Sequence, residues 1–103
     1  MNIQKMLKQA QEMQSKMARI QEDLANRTVE ASAGGGKVTV VANGAGDVLS
    51  IRIDPSIVSP DDVEFLQDLV LAAVREAVSQ AKDAAQSEMG KLTAGLNIPG
   101  LPF

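Results

Sequence analysis

The chain has 103 residues, 45% of them hydrophobic, and a formal net charge of −3, which bounds it to one globular domain with a modest core. It has no cysteine and no histidine, so disulfides, thiolate nucleophiles, zinc–thiolate sites and the usual general base are excluded together. Tryptophan and tyrosine are also missing and phenylalanine occurs twice, which leaves no set of rings on which unpaired bases could stack.

Residues 2–26 read as one helix. Ile3, Met6, Ala10, Met13, Met17, Ile20 and Leu24 follow alternating steps of three and four, an unbroken heptad seam. The residues between them are almost all good helix formers. The segment is basic. Within residues 1–27, Lys5, Lys8, Lys16, Arg19 and Arg27 face only Glu12, Glu22 and Asp23, whereas the rest of the chain is acidic. With Ile3 at heptad position a, Lys5 and Arg19 fall at c, Lys8 at f and Lys16 at g, all off the seam. The first twenty residues are too polar for a signal peptide, and no apolar run approaches the ~18–20 residues of a membrane span. A cytoplasmic protein is expected.

Residues 28–54 change period and read as three short strands. Val38, Val40 and Ala42 alternate with Thr39 and Val41, and Leu49, Ile51 and Ile53 alternate with Ser50 and Arg52. The run Asn43-Gly44-Ala45-Gly46-Asp47 is a strong hairpin signal. Loops this short force antiparallel pairing. The alternation predicts that Leu49, Ile51 and Ile53 face the core while Ser50 and Arg52 face outward.

Asp54-Pro55 ends the third strand. A second helix is expected over 59–89, with Ser59 as N-cap, Pro60 in the first turn and Asp61 and Asp62 complementing the positive helix end. Its first half has a wide apolar stripe, and its second half is alanine-rich and suits a projecting arm. Gly90 is expected to stop it. The Gly- and Pro-containing tail, 90–103, reads either as a frayed end or as a segment docked on an apolar groove.

No chemistry emerges from the motifs. The clusters Gly34-Gly35-Gly36 and Gly44-Ala45-Gly46 lead into strands and lack the lysine and following helix of a phosphate loop. Asp54, Asp61, Asp62 and Glu64 lack the spacing of a calcium loop. No hydroxyl has a histidine partner for a nucleophilic triad. The expectation is therefore no enzyme, no metal, no cofactor and no small-molecule substrate. The two helices are too long for a compact body of this size, whose radius of gyration would be about 13 Å, and a homodimer with projecting helices is the simplest solution.

The order and spacing of several segments resemble the YbaB/EbfC family of nucleoid-associated proteins. They are Met6-Leu7-Lys8-Gln9-Ala10-Gln11-Glu12-Met13-Gln14, Gly36-Lys37-Val38-Thr39-Val40, Asn43-Gly44, Ile53-Asp54-Pro55-Ser56, Asp68-Leu69-Val70-Leu71-Ala72-Ala73-Val74, and Met89-Gly90-Lys91-Leu92-Thr93 with Pro99-Gly100. The resemblance covers nearly the whole chain. It implies an α+β protomer of helix, three-stranded antiparallel sheet and long helix, forming one domain over 1–103. It further implies a homodimer on the nucleoid that binds double-stranded DNA with low sequence demand, in chromosome organisation or gene regulation. Lys5, Lys8, Lys16 and Arg19 are the candidate DNA contacts. The alternative is a coiled-coil adaptor that binds another protein through the methionine-rich seam or the apolar tail.

Overall fold

The computed structural model describes residues 2–96. In chain order these form helix α1 (Ile3–Asn26), strands β1 (Thr28–Ala33), β2 (Val38–Asn43) and β3 (Val48–Ile53), a short 3-10 turn (Pro55–Ile57) and helix α2 (Val63–Leu96). The strands make one antiparallel sheet in the order β1-β2-β3. This is the expected α+β arrangement of helix, meander and long helix.

Each element starts for a local reason. Asn2 caps α1, its side-chain oxygen accepting from the Lys5 amide at 3.2 Å and satisfying one of the free amides of the first turn. The β1–β2 turn needs three residues of left-handed backbone, and Gly34, Gly35 and Gly36 have φ of 63°, 67° and 89°, a region closed to most side chains. The β2–β3 turn is organised by Asn43, which is 6% exposed. Its Oδ1 accepts from the amides of Ala45 at 3.1 Å and Asp47 at 2.9 Å, and its Nδ2 donates to Asp47 Oδ2. At the same turn the Gly44 amide donates to the carbonyls of Leu24 and Arg27, both at 2.8 Å. A Cβ on Gly44 would lie 2.8 Å from the Leu24 carbonyl oxygen, so only glycine lets this turn close on the end of α1.

The core lies between the sheet and the first half of α2. Val38, Val40, Ala42, Ala73 and Ala77 are fully buried, with Ala31 close behind. Val29, Ala33, Ile53, Leu69, Val70 and Val74 pack around them. Alanines at the centre of α2 let the helix approach the sheet closely. Beyond the sheet, Ala81 and Ala84 are also buried, and α2 continues beside α1.

Three expectations need correction. Helix α2 begins at Val63, not at Ser59. Ser59 Oγ accepts from the Asp61 amide at 3.3 Å and the Ser59 carbonyl from the Asp62 amide at 3.1 Å, so Ser59-Pro60 closes a turn of its own before the helix starts. Gly90 does not stop α2, which runs through it to Leu96. One glycine costs a helix only about 1 kcal/mol relative to alanine, too little to end a helix of 34 residues. The remainder of the tail, 97–103, lies outside the described residues.

The third concerns β3. Ile51 pairs with Val40 and Ile53 with Val38, so both stand on the expected face, the one toward α2. Leu49 falls at a register shift opposite Val41 and Ala42. Yet Leu49 is 54% and Ile51 47% exposed, and only Ile53 is half-buried. The cause is tertiary: α2 lies over β1 and β2 and leaves the apolar side of β3 open within the protomer.

The molecule is long and thin, 71 × 25 × 16 Å, with a radius of gyration of 19.8 Å. The sheet and the first half of α2 form a body; α1 and the rest of α2 form an arm.

Candidate nucleic-acid interface

The arm is built on α1. At 3.6 residues per turn each residue advances about 100° around the helix. Lys5, Lys8, Lys16 and Arg19 then share an arc of about 80°, its centre roughly 130° from the apolar seam. All four are exposed. Along the axis they span 14 residues, about 21 Å. Lys8, Lys16 and Arg19 line one shallow concavity of about 430 Å³ with Gln11, Glu12 and Ser15. Lys5 is not among its lining residues and sits toward the free end of the arm. Glu12 is the acidic residue set within the basic arc.

Among the described residues, none of these four side chains has an ion pair or hydrogen-bond partner. The ion pairs lie elsewhere: Arg27 with Glu88 at 3.2 Å, Lys37 with Asp54 at 3.2 Å and Lys91 with Glu88 at 3.3 Å. Glu88 thus engages Arg27 and Lys91 near the root of the arm, while the cations of α1 face solvent. A row of unpaired cations on one helix face suits phosphate oxygens, which ask for charge at intervals and not for a shaped pocket.

The acidic residues do not assemble into a rival site. Among the described residues, no three carboxylates gather as a metal site would need. Asp54 has a structural task. Its carboxylate accepts from the Ser56 amide at 2.8 Å and lies 3.2 Å from Lys37 Nζ, and these contacts, the Ser56 hydrogen bonds first, hold it below the ordinary value of 3.8. Among the described residues, no helix is long and apolar enough to cross a membrane.

A second surface escaped the sequence reading because it depends on which strand α2 covers. Ile53, Leu66, Gln67, Val70, Leu71 and Val74 line an open, almost wholly apolar groove of about 390 Å³ between β3 and α2. Leu49 and Ile51 on β3 and Leu71 on α2 are about half exposed. The sequence signals for this face were the alternation in β3 and the apolar stripe of the first half of α2, both of which also fit elements buried within one chain.

The model of the YbaB/EbfC DNA-binding family matches residues 1–96. A protein of Pelotomaculum thermopropionicum named "Nucleoid-associated protein" is 57% identical over 100 residues, covering 97% of this chain and 95% of its own. A protein of the same name from Desulforamulus reducens is 58% identical over 100 residues, with the same coverage of each chain. Among solved structures, an uncharacterized protein from Helicobacter pylori superposes with a TM-score of 0.81, covering 90% of this chain and 98% of its own. At 19% identity that likeness speaks to the fold alone.

Proposed function

The chain belongs to the YbaB/EbfC DNA-binding family, and on that premise we propose that it binds double-stranded DNA on the bacterial nucleoid as a homodimer, through the basic face of α1 and with little regard to sequence. Its family and the names of its relatives are those of a DNA-binding, nucleoid-associated protein and not of an enzyme. The observation that carries the reading of the site is the arc of four exposed, unpaired cations on a projecting helix. Lysine and arginine on such an arc displace counterions from the duplex, the main source of sequence-independent affinity. Specific readout would need side chains shaped to base edges in a groove, and Gln11 and Ser15 are the uncharged polar groups in the concavity beside them.

The homodimer has its own support. The half-exposed apolar residues around β3 and the first half of α2 form a contiguous patch of the kind that marks an interaction surface. Two copies joined there by a twofold axis would bury it and carry two arms on one body.

The test is a duplex titration across a salt series. The expected result is weak binding whose log affinity falls linearly with log salt, equally for unrelated sequences. Lys8→Glu combined with Arg19→Glu should flatten the slope and lower affinity uniformly, with the fold intact because both side chains are exposed. Undiminished binding by the double variant would overturn the α1 site. Loss confined to one duplex sequence would overturn the low specificity.

A further inference from the structure

The basic arc of α1 has a carboxylate at its centre. Glu12 lies four residues from Lys8 and from Lys16, and seven from Lys5 and from Arg19. Those steps put Lys8 and Lys16 about 6 Å from it along the axis, one toward the free end and one toward the root, and about 40° to either side. Lys5 and Arg19 follow at about 10.5 Å and about 20° to either side. Glu12 is the midpoint of the set in height and in azimuth. Asp23 returns to the same arc only beyond Arg19, toward the root of the arm.

The Glu12 side chain is exposed and lines the concavity with Lys8, Lys16 and Arg19. Residues one turn apart on a helix can pair. Among the described residues, however, the ion pairs are Arg27 with Glu88, Lys37 with Asp54 and Lys91 with Glu88, and Glu12 is in none of them. Its charge is neither neutralised by a bond nor hidden by burial, so a polyanion laid along the arc meets it.

The cations fall into two pairs, Lys5 with Lys8 and Lys16 with Arg19, whose centres are about 16 Å apart along the axis. A single line of phosphates that engages both pairs has to cross Glu12, where like charges repel. A duplex offers another geometry. Its major groove is about 12 Å wide, with a phosphate row on each edge and none between. The long lysine and arginine side chains can reach both rows from their own spacing. The minor groove, about 6 Å wide, is too narrow for the same fit.

We propose that Glu12 is a specificity-determining residue: it makes α1 bridge the major groove, with one cation pair on each edge, and so selects double-stranded over single-stranded DNA. This rests on the α1 reading of the DNA site and adds to it a residue that touches no phosphate. The selection needs no base contact and leaves the sequence demand low.

Duplex and single-stranded oligonucleotides of equal length and mixed sequence, titrated at one salt concentration, read the effect as a ratio of affinities. The parent chain should prefer the duplex. Glu12→Gln should cut that preference about tenfold, chiefly by a gain on the single strand, the scale of one close like-charge contact relieved at a protein surface. Gln11→Glu combined with Glu12→Gln keeps the net charge and turns the carboxylate about 100° away from the centre of the arc; it should cut the preference as Glu12→Gln does. Both positions are exposed and both residue types favour a helix, so the fold should be kept. If Glu12→Gln raised both affinities by one factor, or the exchanged variant behaved as the parent chain, Glu12 would act only through net charge and the proposal would be overturned. Unchanged affinities in Glu12→Gln would overturn it as well. Weaker binding by Lys8→Glu with Arg19→Glu would then keep the α1 site without a role for Glu12, whereas undiminished binding would remove the site itself.

Discussion

Single side chains decide where this chain turns. Asn43 answers two backbone amides and a carboxylate from a buried position. Asn43→Ala would leave the amides of Ala45 and Asp47 without that acceptor, and the loss should be about 1–3 kcal/mol, read as a fall in thermal midpoint. Asp54 bears on acid stability. Its pKa is lowered, chiefly by the Ser56 hydrogen bonds and then by Lys37, so the folded state binds that proton less readily than the unfolded chain. Its contribution is therefore complete above the ordinary carboxylate value and is lost as pH falls through the lowered folded value. Asp54→Asn should melt below the parent chain at neutral pH, and the gap should narrow below pH ~4. A gap that stayed constant down to low pH would leave the ionised form without a role.

At the scale of elements, α2 departs most from what its residues announce. Gly90 is interior to the helix, its φ is not in the left-handed region, and an added Cβ would meet nothing within 4 Å. Gly90→Ala should therefore stabilise the protein by about 0.5–1 kcal/mol, measurable as a rise in thermal midpoint; destabilisation would mean that the helix does not pass through this position. The periodicities were readable because each records which face of its element is apolar. The three-four spacing from Ile3 to Leu24 and the alternation through Val38, Val40 and Ala42 both match the observed elements. The first turn of α2 was misread because Ser-Pro-Asp suits a turn as well as a helix start. The openness of β3 was not legible, since alternation records that a face is apolar and not what covers it. For the candidate site, the shared arc of Lys5, Lys8, Lys16 and Arg19 follows from their spacing alone. Their lack of partners required the positions of Glu88 and Asp54, which are brought near other cations by tertiary contacts.

For the whole molecule, the proposed homodimer would couple shape and charge. A body bearing an open apolar patch and an arm bearing cations becomes useful for a stiff duplex when two arms act together. Ile51 is the probe, because it stands on the α2 side of β3, paired with Val40, and is 47% exposed in the protomer. Ile51→Asp puts a carboxylate where the protomer already admits water, so the single chain should keep its fold. In a dimer the same carboxylate would be desolvated without a partner, a penalty of several kcal/mol. Light scattering should therefore return about twice the chain mass for the parent protein and the mass of one chain for the variant. Two arms offer at most eight cations of the arc, and engagement of between half and about three-quarters of them predicts a salt slope between roughly −3 and −6, at ~0.9 per phosphate contact. One arm offers half as many, so Ile51→Asp should bind duplex DNA with about half that slope and far lower affinity, although its own cations are untouched. A variant that remained dimeric would place the interface elsewhere. A monomeric variant that kept the parent slope would mean that one arm makes all the contacts, and that pairing of the arms adds nothing to binding.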